Sequence, residues 1–453
     1  MKWLALPALF TLTTLIGISQ RPTAADIAAD IETELKAARV PGAAIAVVVE
    51  DNRHARGFGV ASAESNAPIS ADTVVHLGSL TKVFTALAVT SALESRKLVP
   101  ETAVGAYVSG LNERTGAATF HHLLSQTSGL HDRAGGDGTS READLANAAR
   151  ELTAADFLLP AGTVFSYSNP GYALAGAALE GLQKKAYADA IRELVFAPLG
   201  MTKSTLRLSV ATAGSHAVGH RLEADKHTVV RPIANDTRIW PAGYMWSNAN
   251  DLSRALFALM HSGRIDGKQA LPASVVVRVM TPHAPMPNVF VGGHYGYGLM
   301  IARDRGVLMY EHGGTLPGFS SIMRFAPEAG VGIAIATNLD NAPLRRIAQN
   351  VVAKALALPP PQPPARKETP LPPNEMKGML GMYRNRGTAE LTVKDKQVVL
   401  ILDDGPAFTV SRLEPNRFLA RPAPNVPGPE FVLEPARGNA PAYLHFALWA
   451  YTR

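Results

Sequence analysis

The segment Ser79-Leu80-Thr81-Lys82 pairs a potential nucleophile with a potential base. A serine hydroxyl is a poor nucleophile until a neighbouring group takes its proton. Residues three apart share one face of a helix, so the Lys82 amine can reach the Ser79 hydroxyl if a helix begins here. The free N–H groups at a helix N-terminus would also favour negative charge that develops on Ser79. Taken alone, the segment is a weak signal and is better explained as an ordinary helix N-cap.

A tyrosine and an asparagine form a second candidate motif, Tyr167-Ser168-Asn169. Neighbouring cations favour the phenolate form of a tyrosine, so Tyr167 could act as a general base. The amide of Asn169 can hydrogen-bond both a lysine and a substrate amide. The same spacing occurs in Tyr383-Arg384-Asn385, and the alternative interpretation of Tyr167 is a half-buried aromatic residue beside a turn.

The third motif, His312-Gly313-Gly314-Thr315, follows a strand-like segment. Glycines let a substrate approach the backbone closely. The N–H groups of Thr315 and Ser79 could form an oxyanion hole, in which loss of one donor typically costs about 2.7–4 kcal/mol. If acylation depends on the charge of His312, its rate should change between about pH 5 and 8. The alternative is a strand-end histidine whose partners are backbone groups.

The surrounding elements would have to bring these motifs together. Periodicity predicts helices at 26–39, 79–96 and 345–358, a hairpin over 43–61, and short helices with loops over 119–260. Strands are expected at 297–302, 307–311, 320–325 and 331–337. The prediction is an α+β fold in which an antiparallel sheet from both chain ends is flanked by helices and carries a helical insertion. The three motifs then lie at a helix start, in a loop of the insertion and at a strand end.

The last part of the chain has a different pattern. Residues 359–373 are rich in proline, which predicts a semi-rigid linker. Residues 374–453 are expected to form a small all-β barrel or sandwich. Its six predicted strands are 389–394, 397–402, 407–413, 418–421, 430–433 and 444–451.

Together, the three motifs match the order of the Ser-x-x-Lys signature and its two companion motifs in β-lactamases and penicillin-binding proteins. The sequence resembles the class C β-lactamase and DD-peptidase superfamily, including its esterase and D-aminopeptidase members, over about residues 26–358. The tail is similar to β-barrel domains appended to some of these hydrolases. Further stretches that carry the resemblance are 123–130, 167–172, 198–201, 241–243 and 247–252.

The resemblance implies a role for each motif residue. Ser79 would be the nucleophile, Lys82 and Tyr167 would activate it, and Asn169 would orient the substrate. The N–H groups of Ser79 and Thr315 would bind the oxyanion, with His312, Gly313 and Gly314 lining the substrate site. The family resemblance implies neither a cofactor nor a metal.

His312 departs from typical β-lactamases, which have lysine at this position. Peptidases, D-aminopeptidases and some esterases of the family often carry histidine. A neutral imidazole offers less charge than lysine to the carboxylate of a β-lactam. We therefore expect β-lactams to acylate the protein without efficient hydrolysis.

The expected function is that of an exported serine hydrolase that acts on D-amino-acid peptides, as a DD-carboxypeptidase or D-aminopeptidase. A carboxylesterase and a weak class C-like β-lactamase are alternatives with the same chemistry. An alternative of another class is a catalytically feeble protein that binds peptidoglycan or β-lactams. The expected partner is a peptide or small-molecule substrate. Nucleic acid is not expected, because the basic residues behind the net charge of +6 are scattered.

The N-terminus predicts export. Residues 1–25 combine Lys2, an apolar run over 3–18 and small residues at 19 and 24–25, which is typical of a secretory signal peptide. Cleavage is expected after Ala25 or, alternatively, near Ser19, giving a periplasmic or secreted protein. The apolar run is shorter than the roughly 20 residues of a spanning helix. An uncleaved anchor, which would associate the N-terminus with a membrane, is the alternative.

Overall fold

The computed structural model describes residues 21–132, 138–287, 292–362, 367–423, 426–438 and 441–453. Most of the predicted signal peptide therefore lies outside the described residues. The first helix begins at Ala24, and its N-cap Thr23 forms a capping box with Asp26. Cleavage after Ala25 would remove this cap. Within the described ranges, no helix has both the length and the apolar character needed to cross a membrane.

The helices lie mostly in the first 360 residues and include the three long ones predicted from periodicity. In chain order they are α1 Ala24–Ala37, α2 Thr81–Ser95, α3 Glu113–Gly116, α4 Phe120–Leu124, α5 Asp144–Arg150, α6 Asn169–Gln183, α7 Tyr187–Ile191, α8 Ala197–Leu199, α9 Leu208–Thr212, α10 Trp240–Gly243, α11 Ala249–Met260, α12 Ala273–Met280 and α13 Leu344–Ala355.

The strands divide between the two parts of the chain. Those of the first part are β1 Gly42–Val49, β2 Asn52–Gly59, β3 Val75–His76, β4 His220–Glu223, β5 Lys226–Val229, β6 Trp246–Ser247, β7 Arg264–Ile265, β8 Lys268–Gln269, β9 Ala284–Pro285, β10 His294–Tyr295, β11 Met300–Asp304, β12 Val307–Leu316, β13 Phe319–Ala326 and β14 Val331–Thr337. Those of the second part are β15 Thr369–Pro370, β16 Gly381–Arg384, β17 Thr388–Lys394, β18 Gln397–Leu402, β19 Ala407–Glu414, β20 Arg417–Arg421, β21 Glu430–Glu434, β22 Tyr443–Phe446 and β23 Trp449–Thr452.

An eight-stranded antiparallel sheet forms the centre of the first part. Its order is β2-β1-β14-β13-β12-β11-β10-β9, so strands from both chain ends meet where β1 pairs with β14. Alternate side chains of β1 enter two separate cores. Ile45 and Val47 pack with α1 and α13, whereas Ala46 and Val48 face the helical layer that contains α2 and α6. The predicted α+β class, with its antiparallel sheet and flanking helices, is confirmed.

The second part is a closed barrel. Strands β16 to β23 form eight sides, and pairing of β19 with β20 closes the ring. Its interior contains Tyr383, Leu400, Phe418 and Phe431. The short strand β15, within the proline-rich segment 359–373, pairs with β19.

Two details of the barrel differ from the sequence-based prediction. Residues 444–451 are not one strand, because β22 turns into β23 through Ala447 and Leu448, with Ala447 at φ +50°. Neither turn residue is glycine, asparagine or aspartate, so the usual turn signal is absent. In addition, β16 at Gly381–Arg384 was not predicted as a strand.

Candidate active site

The backbone around Ser79 is shaped for close contacts. Ser79 lies in the 3-10 turn Gly78–Leu80 immediately before α2. Gly78 has φ +52°, a left-handed conformation that glycine adopts without steric cost. The Thr81 hydroxyl donates to the Gly78 carbonyl at 2.7 Å and accepts from the Met245 N–H at 3.0 Å. These bonds fix the turn that presents Ser79.

Lys82 is fully buried directly behind Ser79. Its Nζ lies 3.3 Å from the Ser79 Oγ, as the spacing of three residues predicts. The same nitrogen donates to the Asn169 Oδ1 at 2.7 Å and to the Ala242 carbonyl at 2.6 Å. Three separate segments of the chain therefore determine the position of one amine.

Burial changes the acidity of this amine. Loss of solvent lowers the pKa of Lys82 to about 7, although the Asp132 carboxylate opposes part of the decrease. A substantial fraction of the Lys82 side chain is then uncharged near neutral pH. An uncharged amine beside a serine hydroxyl can accept its proton, which makes Lys82 the candidate general base.

Tyr167 lies on the other side of Lys82, with its ring centre 4.7 Å from the Nζ. Burial raises the pKa of Tyr167 well above its usual value, and a hydrogen bond with Ser79 offsets only part of this increase. Tyr167 is therefore a phenol at neutral pH. The sequence-based idea of a phenolate base does not fit this environment, and a proton donor or relay does.

Asn169 is the first residue of α6, where Ser168 caps the helix by accepting from the Gly171 N–H. This cap determines the position of the Asn169 side chain, whose Oδ1 faces Lys82. Both the backbone N–H and the Nδ2 of Asn169 donate to Asp132, at 2.9 and 3.0 Å. The sequence analysis did not identify Asp132.

The third motif forms the end of β12. His312 is buried, and its Nδ1 lies 2.6 Å from the Gly313 carbonyl oxygen. A carbonyl oxygen can only accept, so Nδ1 carries the proton. Burial, together with the nearby Lys82 charge, lowers the pKa of His312 to about 3. His312 is thus uncharged across pH 5 to 8, and Lys82 replaces it as the group expected to titrate there.

The end of β12 lies against the turn that contains Ser79. A Cβ atom placed on Gly78 would lie 2.7 Å from the Thr315 nitrogen, and one on Gly314 would lie 2.7 Å from the Ser79 nitrogen. The Ser321 hydroxyl holds this contact by donating to the Leu77 carbonyl at 2.5 Å. The two backbone nitrogens proposed for an oxyanion hole are therefore close together.

A cavity of about 1050 Å³ opens over these groups. It is large enough for a substrate of several hundred daltons. Seven of the eight residues selected from sequence line it, while Lys82 lies just beneath. The seven are Ser79, Tyr167, Asn169, His312, Gly313, Gly314 and Thr315.

The barrel supplies a further wall of the same cavity. Arg386, Ala447, Leu448 and Trp449 all line it. The Leu448 carbonyl accepts a hydrogen bond from the Tyr167 N–H at 2.8 Å. None of these four residues was predicted from the sequence. The motif Tyr383-Arg384-Asn385 ends one residue before Arg386, and in sequence it only repeats the spacing of the second motif.

Known proteins have sequences similar to this chain. The sequence model of the family described as Beta-lactamase matches residues 27–357. Penicillin-binding protein 4 of Amycolatopsis lactamdurans is 29% identical over 317 residues, which are 66% of this chain and 81% of that protein. Protein flp of Staphylococcus aureus (strain COL) is 26% identical over 321 residues, 69% of this chain and 62% of that protein.

Solved structures extend the likeness to both parts of the chain. The crystal structure of SurE has a TM-score of 0.78 at 25% identity and covers 94% of this chain and 98% of its own. A structure of SurE with D-Leu has a TM-score of 0.76 with the same identity and coverage. The octameric penicillin-binding protein homologue from Pyrococcus abyssi has the same fold, with a TM-score of 0.66, 23% identity and coverage of 95% and 99%.

Proposed function

Because the chain belongs to the Beta-lactamase family, whose members are serine hydrolases, we propose that it hydrolyses D-amino-acid peptides through an acyl-enzyme on Ser79. The observation that carries this proposal is the buried amine of Lys82, 3.3 Å from the Ser79 hydroxyl. The pKa of this amine is about 7, so its basic form is available near neutral pH. Ser79 has no other obvious use for such a neighbour.

The hydrogen bonds of Lys82 determine where its lone pair points. An uncharged amine has two N–H groups and one lone pair. The Asn169 Oδ1 and the Ala242 carbonyl are acceptors and take the two N–H groups. The lone pair is left for the Ser79 hydroxyl, which transfers its proton to Lys82 as Oγ attacks the substrate carbonyl.

The next step is collapse of the tetrahedral adduct. Its oxyanion would accept hydrogen bonds from the N–H groups of Ser79 and Thr315. Tyr167 hydrogen-bonds Ser79 and remains a phenol, so it can pass the proton held by Lys82 to the leaving amine. Deacylation uses the same groups in reverse, with water in place of Ser79 as the nucleophile.

The substrate class follows from two lines of support. Relatives include a protein named penicillin-binding protein and the SurE structure with D-Leu, which favour ligands containing D-amino acids. In this chain, the uncharged His312 supplies no cation for a substrate carboxylate. A peptide that presents an N-terminal D-residue does not need a cation at this position, so D-aminopeptidase activity is the first expectation.

Hydrolysis of short-chain esters is the second candidate. The observation in its favour is again the uncharged His312, because an ester of a simple carboxylic acid presents no charge to the site. Both candidates use Ser79 in the same manner. Rates with a D-alanyl amide, a D-Ala-D-Ala peptide and a butyryl ester would rank the three activities directly.

Export is also part of the proposal and rests on residues 1–25. The protein is then periplasmic or secreted, and it meets peptide and ester substrates outside the cytoplasm. The N-terminal residue of the mature protein, determined by mass spectrometry after expression in the native host, tests this. A mature chain that still begins at Met1 would favour the membrane-anchor alternative or no export.

The function itself is tested by intact-mass measurement after incubation with a penicillin and, separately, with a fluorophosphonate. We expect both adducts on the wild type and neither on Ser79→Ala. A penicillin adduct that persists would indicate slow deacylation, as in a peptidase. Absence of both adducts from a folded wild-type protein would overturn the acyl-enzyme proposal and favour a binding protein.

A further inference from the structure

A buried carboxylate lies behind the active site and has no role in the chemistry described above. Asp132 is 2% exposed and follows the stretch of residues 123–130. One of its oxygens, Oδ1, accepts from both the backbone N–H and the Nδ2 of Asn169, at 2.9 and 3.0 Å. Two bonds to one oxygen leave little freedom to the Asn169 side chain.

These bonds determine which end of the Asn169 amide faces Lys82. A carboxylate can only accept hydrogen bonds, so it must face the NH2 group of the amide. The amide oxygen is then directed at the Lys82 Nζ, 2.7 Å away. Asp132 thereby orients the acceptor that holds one N–H of the proposed general base.

The other side of Asp132 is bound by the barrel. Trp449 Nε1 donates to the Oδ2 at 3.2 Å, and a guanidinium nitrogen of Arg386 lies 3.7 Å from the same oxygen. The Asp132 N–H donates to the Asn385 Oδ1 at 3.0 Å. Arg386 in turn packs over the Trp449 ring, 5.2 Å from its centre. A buried carboxylate is costly without such partners, and the barrel supplies two of them to the Oδ2 of Asp132.

We propose that Asp132 is a positioning residue for the acylation step and that the barrel residues Asn385, Arg386 and Trp449 hold it in its active arrangement. The barrel is then part of the catalytic unit rather than an appended module. This inference rests on the proposed role of Lys82 as proton acceptor. Asp132 acts through Asn169 and through its charge, without touching the reacting atoms.

The electrostatic consequence can be separated from simple packing. Tyr167, Tyr172 and His312 are titratable groups near Lys82, with Tyr295 packed behind them, and burial keeps each of the four uncharged at neutral pH. Arg345 adds a positive charge that acts on His312. The negative Asp132 favours the ammonium form of Lys82 and so raises its pKa. Arg386 opposes that influence because it partly neutralises Asp132.

The opposite charges of Asp132 and Arg386 therefore predict opposite shifts of the Lys82 pKa when each residue is replaced. Asp132→Asn removes the negative charge and should move the acid limb of the pH–rate profile to lower pH. Arg386→Gln leaves Asp132 less compensated and should move the same limb to higher pH. Asp132→Asn should also lower the plateau rate about 10- to 100-fold, because a misoriented Asn169 displaces the base from its working position.

The measurement is the second-order rate of fluorophosphonate labelling of the full-length chain, followed by intact mass from pH 5 to 9. Arg384→Gln is a matched control because Arg384 is an exposed arginine two residues from Arg386. It should leave the profile unchanged. Arg386→Lys, which keeps the charge, should restore most of the wild-type profile.

Unchanged limbs in both Asp132→Asn and Arg386→Gln would overturn the inference. Shifts of the acid limb in the same direction in both variants would also overturn the inference, since a general loss of packing around the site would affect both variants alike. If Asp132→Asn does not fold, the half-exposed Arg386 still supplies the test through Arg386→Gln and Arg386→Lys. Failure of the proposed function looks different, because the wild type would then show no labelling that depends on Ser79.

Discussion

The backbone N–H of Tyr167 donates to the carbonyl oxygen of Leu448 at 2.8 Å, which joins the second motif of the hydrolase part to a turn of the barrel. The adjacent Phe165 carbonyl is likewise bonded to the barrel, through the His445 Nε2 at 2.9 Å. Tyr167 is 5% exposed because Leu448 and Trp449 pack beside it. The barrel is thus required for both the position and the burial of an active-site residue.

Removal of residues 366–453 should abolish labelling of Ser79 and lower the melting temperature. The truncation exposes the Tyr167 ring and removes the Leu448 partner of its N–H, a hydrogen bond whose net contribution is typically about 0.5–1.5 kcal/mol. Fluorophosphonate labelling and a thermal melt of the truncated and full-length chains provide the comparison. Full labelling with an unchanged melting temperature would contradict this role of the barrel.

The wild-type enzyme should gain activity as pH rises through about 7. Activity rises with pH because the pKa of Lys82 is about 7 and its uncharged form accepts the proton. Below this pH the protonated fraction grows, so log kcat/KM for a neutral ester should fall with a slope approaching one. His312 contributes nothing to this limb because its pKa is about 3. A limb centred below pH 5 would argue against Lys82 as the base.

His312→Lys should move that acid limb to lower pH. A second ammonium group beside Lys82 disfavours the charged form of the first and lowers its pKa. The new cation should also speed acylation by a penicillin, whose carboxylate finds no charge on the wild-type histidine. The pH–rate profile and the penicillin labelling rate report the two effects separately. An unmoved limb in a folded variant would contradict the proximity of these two side chains.

Gly314→Ala should reduce the acylation rate by roughly 100-fold or more, the order expected when one oxyanion donor is lost. The new Cβ would lie 2.0 Å from the Leu77 carbonyl oxygen and 2.7 Å from the Ser79 nitrogen. Both contacts are backbone atoms, so the turn itself must shift. Gly378→Ala in the barrel, where the added Cβ meets nothing within 4 Å, is the control. Equal labelling rates in the two variants would exclude this steric account.

Arg324→Met should destabilise the hydrolase part by about 3–5 kcal/mol, as expected when one partner of a buried ion pair is removed. The Arg324 side chain is 3% exposed and pairs with Glu311, which is 2% exposed, and with Asp304 at 2.6 Å. Without Arg324, the carboxylates of Glu311 and Asp304 each lose a positively charged partner. Urea unfolding measures the difference. Arg303→Met, on the exposed face of β11, should stay within about 0.5 kcal/mol of wild type.

Much of the site could be predicted because its signals are local. The three-residue spacing of Ser79 and Lys82 determines that they share a helix face, wherever that helix packs. Gly314 likewise predicted a close approach to the backbone, because a glycine has no Cβ wherever the chain places it. The alternation of apolar residues also indicated the central sheet and most of the barrel strands.

Predictions failed where a local signal was absent or where burial decides the chemistry. The turn at Ala447 and Leu448 lacks the usual turn residues, so two strands were predicted as one. Tyr167 and His312 were assigned titration behaviour from their residue types. Their surroundings instead make Tyr167 a phenol and His312 an uncharged imidazole, because desolvation disfavours the charged form of each.

By itself, the sequence predicted Ser79 as the nucleophile with Lys82 as its basic neighbour, and it determined the fold class and the presence of a β-rich tail. Only the tertiary structure shows that Asp132 bonds Asn169 and that Asn169 bonds Lys82. It also places Arg386 and Trp449 of the tail against Asp132. The physical reason is that the contacts of Asp132 with the tail join residues more than 200 positions apart. Its contact with Asn169, and that of Asn169 with Lys82, depend on how separate segments pack against each other. Such pairs are brought together by the packing of two separate cores, which no short-range pattern of residue types records.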